Sequence, residues 1–322
     1  MTRSQTALGP YAAALAVLAV SAMIPATAAA DTAPPSNLPA ATPAAADSAP
    51  KSWAAQGAMI AVPGGTVIIG AEDGPASTRP AHEVTLAPFT LDRTEVTNAA
   101  FAEYLNALPI GAPRDFGPGG YRPTDPAADL LAEGRQGSGA YPLVALDDDQ
   151  SRIEASGGRF RPEPGFEDHP VTETTWAGAR AYCLWRGARL PSEAEWEAAA
   201  RHPDGRLYPW GHLPPDATRA VVTGRTGATR PVGSAPAGAS ALGLLDLAGS
   251  LAEWTSTRRR PYPYRADDGR EDPTLPGERV TRGGDYRFDT APAQLTTIHR
   301  KGFSNAPERG HRHIGFRCAR DG

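Results

Sequence analysis

Apolar side chains recur at helical spacing after two threonines, Thr97 and Thr175. The apolar residues that share one helical face are Phe101, Tyr104 and Leu105 in the first segment and Trp176, Ala179 and Cys183 in the second. A threonine hydroxyl can accept a hydrogen bond from one of the free N–H groups at the start of a helix. The two segments are therefore predicted to be helices that begin after Thr97 and after Thr175.

A third helix is predicted from the sequence SEAEWEAAAR, which follows Pro191. Ser192 stands three residues before Glu195, and this spacing is typical of a capping box, in which each residue's side chain binds the other's backbone N–H. The alanine- and glutamate-rich segment after it has high helix propensity.

Strand patterns are short and separated by long irregular stretches. The sequence MIAVPGGTVIIG, Met59 to Gly70, predicts two strands around a turn at Pro63-Gly64-Gly65. The chain has 34 glycines and 33 prolines, and stretches such as Gly111 to Pro126 lack any periodicity. We find no internal repeat. The pattern favours an α+β fold that is irregular and loop-rich.

The N-terminus has the pattern of a secretory signal peptide over residues 1–30. Arg3 precedes an apolar run from Tyr11 to Ile24, and a series of small residues ends at Ala30. This run is shorter than the about 20 residues that a membrane span needs, although an uncleaved anchor is the alternative. We expect a secreted or periplasmic protein with no membrane contact after signal cleavage.

Composition then divides the rest of the chain into a spacer and one domain. Residues 31–52 are rich in alanine and proline and cannot bury enough apolar surface to fold. Residues 53–322 contain no second spacer of this kind, which favours one folded domain. The chain has 40% hydrophobic residues and a formal net charge of −4, so its overall charge does not favour nucleic acid as a partner.

Several motifs, in order along the chain, resemble those of the formylglycine-generating enzyme family, whose members are also called sulfatase-modifying factors. They are HPVTETTWAGARAYC, ARLPSEAEWEAAAR, YPWG, GLLDLAGSLAEWTS, RVTRGGDY and the terminal IGFRCAR. The resemblance covers nearly everything after the spacer. It implies an irregular α+β fold related to C-type lectins. Motifs of phosphate-binding loops, zinc-binding His-Glu-x-x-His helices and serine nucleophile elbows are not found in the sequence.

The resemblance also implies a disulfide. Cys183 and Cys318 are the only cysteines in the chain, and they occupy positions similar to those of the family's structural bridge. Cysteines of an exported protein are commonly oxidised, because no reducing pool protects them. We therefore expect a bond between these two residues and assign neither of them a catalytic role.

A calcium site is the second feature that the resemblance implies. Its ligands would be the side chains of Asp246 and Glu253 with the backbone carbonyls of Gly249 and Leu251. Calcium prefers oxygen ligands of this mixed kind. The loop departs from the family pattern at Ser250 and Ala252, and the two carboxylates could equally serve as loop caps without a metal.

The sequence departs most from the family at the positions of its catalytic cysteines. In the family's formylglycine-forming members, two cysteines after a double glycine bind Cu(I), for which thiolates are suitable ligands. Counting from Gly283-Gly284, the corresponding residues here are Phe288 and Ala293. Because neither side chain can bind copper, we do not expect a copper cofactor or formylglycine formation. The residues expected to line a surviving ligand pocket are Asp285, Arg287 and Arg300.

Two further clusters leave their function open. A transition metal could bind if the side chain of Asp285 converged with those of three histidines. The three are His299, His311 and His313. The run TRRRPYPYR, Thr257 to Arg265, carries guanidinium groups that suit carboxylate, sulfate or phosphate ligands. The alternatives are hydrogen-bonding histidines and an extended, solvated connector.

Two functions are consistent with the sequence. The first is a divergent oxidase-type maturation factor that acts on an exported peptide, protein or cofactor. The second is a non-catalytic, lectin-like protein that binds an exported protein, peptide or small-molecule ligand. The family is one of oxidoreductases, but the replacement of both cysteines leaves open whether this chain is an enzyme.

Overall fold

The computed structural model describes residues 57–108, 143–146, 148–156, 159–304 and 307–322. All of them belong to one compact unit, residues 50–322. The predicted signal peptide, the spacer and the irregular stretch from Gly111 to Pro126 lie outside the described residues. Within the described ranges, no helix is long and apolar enough to cross a membrane.

Three α-helices begin where their capping residues predict. Helix α1 spans Asn98–Ala107 after Thr97, and α2 spans Trp176–Trp185 after Thr175. Helix α3, Glu193–Arg201, begins with the complete capping box of Ser192. Each predicted helix start is confirmed, because these capping bonds join residues only three positions apart.

Eleven short strands lie in the described part of the chain. Along the sequence they are β1 (Met59–Val62), β2 (Gly65–Ile69), β3 (His82–Leu86), β4 (Phe89–Asp92), β5 (Ile153–Ser156), β6 (Arg159–Pro162), β7 (Ala252–Arg258), β8 (Arg279–Arg282), β9 (Arg300–Ser304), β10 (Ile314–Gly315) and β11 (Ala319–Asp321). The mixture of short strands, three helices and many turns confirms the loop-rich α+β fold. Its relation to C-type lectins stays a prediction.

The strands form small sheets, of which the largest has four strands in the order β10-β7-β8-β9. Strands β10 and β7 are parallel, with Ile314 opposite Ala252, whereas the other pairs in this sheet are antiparallel. The two strands predicted around Pro63 both form, but they join different sheets. Strand β1 pairs with β4, and β2 pairs with β3.

A disulfide joins Cys183 in α2 to Cys318, just before β11, across 135 residues of chain. Both cysteines lie in the largest apolar cluster, which contains the buried faces of α1 and α2 and residues of β7 and β10. The bond that the resemblance implied is thus present, and it fixes the C-terminal segment to the helical side of the core.

Buried ion pairs connect elements that are distant in sequence. Arg317 forms two bonds of 2.7 Å with Glu253, and Arg186 pairs with Asp92 at 2.7 Å. Glu193 at the start of α3 pairs with Arg300 in β9 at 2.6 Å. All of these side chains are almost completely shielded from solvent, so each charge depends on its partner.

Candidate functional site

A cavity of about 290 Å³ lies beside Phe288, one of the two residues that the family resemblance led us to expect at the positions of catalytic cysteines. Its wall comes from four separate parts of the chain. The lining residues are Asp148, Glu173, Phe288, Gly310, His311, Arg312 and His313. Two carboxyl groups, two imidazoles and an aromatic ring therefore share one small cavity.

Glu173 is placed by the segment that leads into α2. Its backbone N–H donates to the carbonyl of His311 at 3.2 Å, and its carbonyl accepts from Ala145 N–H at 2.9 Å. The backbone has a φ of 59°, a left-handed conformation that glutamate rarely adopts. A Cβ at Gly310 would lie 2.3 Å from the Glu173 carbonyl oxygen. Only glycine fits at position 310, so this part of the cavity wall packs tightly against the backbone of Glu173.

Glu173 and Asp148 form a hydrogen-bonded carboxyl pair. Burial, together with the charge of Asp148, raises the pKa of Glu173 to about 8. Burial acts against ionisation of Asp148 as well, but bonds from Gln150 N–H and from its side-chain neighbours lower its pKa overall. At neutral pH the pair accordingly holds one proton, on Glu173, which donates it to the ionised Asp148.

His313 is a further ionisable residue of the cavity, besides the two carboxyl groups. Burial and the neighbouring His311 lower the pKa of His313 to about 3, so its imidazole is neutral at physiological pH. The rings of His311 and His313 lie 5.9 Å apart, and the indole of Trp254 lies 6.0 Å from His311. The cavity thus combines a protonated carboxyl with a neutral imidazole.

Phe288 gives the cavity an exposed aromatic edge. Its ring is 38% exposed and packs edge-on against His313 with centroids 4.9 Å apart. The guanidinium groups of Arg225 and Arg287 each lie 5.6 Å from the ring centroid. Ala293, the other replacement residue, is exposed and lies in a 3₁₀ turn, Pro292–Gln294.

Of the three residues expected to line a ligand pocket, two lie in one loop and Arg300 lies elsewhere. Asp285 is fully buried and accepts bonds from the N–H groups of Arg287 and Phe288, so its carboxylate shapes the loop. Arg300 is held by Glu193 and the carbonyl of Arg260 on another wall of the domain. Asp285 contacts a residue of the Phe288 cavity through Phe288 N–H, and Arg287 contacts it through the Phe288 ring, whereas Arg300 lines a different cavity. A ligand site formed by all three residues stays a prediction.

The four residues considered for a transition metal are also divided among different contacts. His299 lies 3.6 Å from Asp289, which Lys301 contacts at 2.6 Å, whereas His311 and His313 line the cavity. The carboxylate of Asp285 accepts hydrogen bonds from backbone N–H groups of its own loop. Across the described ranges, no group of three or more His, Cys, Asp or Glu side chains is arranged to hold a metal ion.

The residues predicted to bind calcium lie in a buried loop beside Arg317. Both oxygens of Glu253 accept bonds from this guanidinium, and one also accepts from Trp196 Nε1 at 2.8 Å. Asp246 accepts from Gly233 N–H at 2.6 Å. These contacts do not fit the predicted ligand set, since Arg317 already balances the charge of Glu253. Calcium binding here stays a prediction.

Glu173 and Asp148 are the functional candidates that the sequence analysis did not identify. Glu173 is the only charged residue in VTETTW, which leads directly into a buried helix. A charged residue is rarely buried without a partner, so its position in the sequence could have indicated a functional residue. Asp148 lies in a run of three aspartates, which resembles an ordinary solvated turn. Sequence alone could not place it beside Glu173.

The comparison with protein-family models decides the family. Residues 44–322 match the model described as the sulfatase-modifying factor enzyme 1-like domain. The chain belongs to the sulfatase-modifying factor family. Within this family member, the cavity of Glu173 and His313 adjoins Phe288.

Two relatives illustrate the range of the family. The chain is 34% identical over 302 residues to the formylglycine-generating enzyme of Streptomyces coelicolor, and the match covers 82% of this chain and 89% of the relative. It is 35% identical over 240 residues to the hercynine oxygenase of Mycolicibacterium smegmatis, covering 72% of this chain. The chain spans about half the length of that oxygenase, 53%.

The fold agrees with a solved member of the same structural group. The structure of PvdO from Pseudomonas aeruginosa superposes with a TM-score of 0.52 at 23% sequence identity, covering 82% of this chain and 94% of PvdO. A likeness at this level of identity shows a common fold.

Proposed function

We propose that this family member is a divergent oxidase-type maturation factor that acts on an exported peptide, protein or cofactor without copper–thiolate chemistry. The proposal rests on the Glu173–Asp148 pair and the neutral His313 beside Phe288. An oxidation that removes hydrogen from a substrate needs a group that accepts or donates a proton at neutral pH. A carboxyl group with a pKa of about 8 meets this need.

Each group has a separate part in this proposal. Glu173 would hold and exchange the proton at its carboxyl oxygen, while Asp148, paired with Arg312 at 3.1 Å, would keep it positioned. His313 would offer a neutral imidazole to a polar group of the substrate. Phe288 and the guanidinium groups near it would bind an apolar part and an adjacent anionic part of the substrate. Dioxygen is the oxidant that family membership implies.

The role of Glu173 is tested with the variant Glu173→Gln, which keeps the hydrogen bond to Asp148 but has no titratable group. Exported peptides, proteins and cofactors of producing cells are compared by mass spectrometry. We expect an unoxidised species, heavier than the product by two hydrogens, to accumulate with this variant, because transfer of two hydrogens to dioxygen gives hydrogen peroxide and balances the oxidation. Glu163→Gln is the control, because Glu163 pairs with Arg152 at the partly exposed β6 end. Accumulation with neither variant would contradict the enzymatic proposal.

The claim that formylglycine is not formed has its own test. Purified protein is mixed with Cu(I), dioxygen and a Cys-x-Pro-x-Arg peptide. Because Phe288 and Ala293 provide no thiolate, we expect no aldehyde above the level of a protein-free reaction. Aldehyde formation that depends on the protein would show that the missing-cysteine argument is wrong.

The second candidate is a non-catalytic protein that binds an exported partner. The observation that favours it is the exposed ring of Phe288, since large exposed aromatic side chains near arginines are common at binding sites. Phe288→Ala distinguishes the two candidates when combined with Glu173→Gln. A binding protein would lose partner capture with Phe288→Ala and keep it with Glu173→Gln, whereas a maturation factor would lose product formation with Glu173→Gln.

A further inference from the structure

We propose that a second cavity, remote in sequence from the Glu173 pair, binds the phosphate or sulfate group of a small soluble ligand. This cavity measures about 620 Å³, within the range of small-molecule sites. Four arginines line it, and they are Arg79, Arg259, Arg260 and Arg300. We call it the arginine cavity. It lies beside the arginine run whose function the sequence left open.

The back wall of the arginine cavity is rigid. Arg300 donates to both oxygens of Glu193 at 2.6 and 2.9 Å, and also to the carbonyl of Arg260 at 2.7 Å. Its guanidinium lies 4.4 Å from the ring centroid of Tyr262. Arg300 is only 5% exposed. The wall is therefore held in place before any ligand binds, which reduces the entropy lost on binding.

The carboxylates around the arginine cavity do not balance its positive charge. The carboxylate of Glu193 is shared between two arginines, because Arg270 lies 3.7 Å from it in addition to Arg300. Arg270 also pairs with Asp268 at 2.8 Å. Asp268 is also the carboxylate nearest to Arg260 among the described ion pairs, but at 4.0 Å. Together with the pair Arg259–Glu278, these contacts leave the network one positive charge in excess.

Arg79 adds a second uncompensated charge. It is exposed at the rim of the cavity. In the described part of the chain, no carboxylate lies within ion-pair distance of it. The surroundings of the cavity thus carry about two net positive charges at one place, although the whole chain is acidic with a net charge of −4. Such a local excess attracts a divalent anion.

The geometry of guanidinium groups favours oxyanions as ligands. A planar guanidinium can donate two parallel hydrogen bonds to the oxygens of a phosphate or sulfate group. Arg79 and Arg260 are more accessible than Arg300, so they are the side chains expected to contact the anion. The volume of the cavity leaves room for an organic body attached to the anionic group.

Calorimetric titration tests the inference at constant ionic strength, with inorganic phosphate and inorganic sulfate as probes. We expect saturable binding to the wild-type chain, weakened at least tenfold in the double variant Arg79→Gln/Arg260→Gln. The substitution keeps the Arg260 carbonyl that Arg300 binds. Arg265→Gln is the matched control, because Arg265 belongs to the same run but pairs with Asp267 and does not line the cavity.

Glucose 6-phosphate and glucose 6-sulfate then distinguish the two ester types. Tighter binding of one ester than of its inorganic ion would identify the anionic group of the ligand. The inference is overturned if the wild-type chain gives no saturable binding with any of these probes. It is also overturned if Arg265→Gln weakens binding as much as the double variant does. The Glu173→Gln variant should bind the probes normally, so the outcome is independent of the proposed oxidase function.

Discussion

At the scale of single residues, Glu173 combines three features that are uncommon for a glutamate. It has a left-handed backbone, a buried side chain and a pKa raised to about 8. A positive φ is unfavourable for a residue with a side chain, and such strain is often retained at functional sites. Glu173 is also in contact with Asp148, so the two carboxyl groups titrate as a pair.

The raised pKa of Glu173 predicts how its replacement changes stability with pH. The folded state binds this proton more tightly than the unfolded state, whose glutamate titrates near 4.5. The stability that the proton contributes is complete below pH 4.5 and is lost as the pH rises towards 8. Glu173→Gln removes this loss, so the stability of this variant relative to the wild type should grow by on the order of 3 kcal/mol between pH 5 and pH 8.

Urea denaturation at pH 5, 6.5 and 8 measures this difference. His313 has the opposite dependence, because its lowered pKa makes stability fall as the pH drops below 6.5, but this effect is common to both proteins and cancels. Glu163→Gln, a substitution of the same kind at a partly exposed ion pair remote from the cavity, is the control. A constant difference for Glu173→Gln would contradict the assigned pKa.

At the scale of elements, the start of α3 joins local and distant interactions. The Ser192 hydroxyl accepts from Glu195 N–H at 3.2 Å, and Glu195 accepts in return from Ser192 N–H at 2.8 Å. Glu195 also binds Arg189 through both oxygens. Glu193, the first residue of the helix, reaches β9 through Arg300. Helix α3 therefore positions one wall of the arginine cavity.

Removal of the Ser192 cap should weaken the fold measurably. Ser192→Ala leaves the Glu195 N–H without its side-chain acceptor, which costs about 1 kcal/mol of unfolding free energy. Ser234→Ala is the matched control, because Ser234 is exposed in a loop. Thermal unfolding of both variants provides the comparison. Equal melting temperatures for the two variants would show that the capping box contributes little.

At the scale of the whole molecule, the disulfide and the buried ion pairs connect the ends of the domain. Cys183–Cys318 closes a segment of 135 residues, and Arg317 beside Cys318 pairs with Glu253 in β7. The C-terminal strand β11 also pairs with β4 near the start of the described residues. The last strand of the domain thus pairs with a strand of its N-terminal part, and β4 lies between β1 and β11 in that sheet.

Reduction of the disulfide should lower the free energy of unfolding by up to about 5 kcal/mol, because a loop of this length gains much conformational entropy when it is released. Denaturation with and without reductant measures the change, and titration of unreduced, unfolded protein should find no free thiol. The control is the Cys183→Ala/Cys318→Ala double variant, whose stability should not respond to reductant. Two titratable thiols before reduction would contradict the bond.

The sequence by itself determined the features that depend on neighbouring residues. Thr97, Thr175 and Ser192 each marked the first turn of a helix correctly, because a cap binds an N–H only a few positions away. The ordered motifs were sufficient to indicate the family and the cysteine pair. The expectation that Phe288 occupies the position of a catalytic cysteine also came from the sequence alone.

The tertiary structure decided which charged groups share a site. Glu173 and His313 are 140 positions apart in the numbering, yet both line one cavity. Arg300, expected beside Asp285, instead pairs with Glu193, 107 positions away. Sequence spacing contains no signal for such pairs, since a buried charge takes whichever opposite charge the packing of distant elements brings within reach. The chemical character of single residues could therefore be inferred from the sequence. Which residues share a site is decided only by the folded chain.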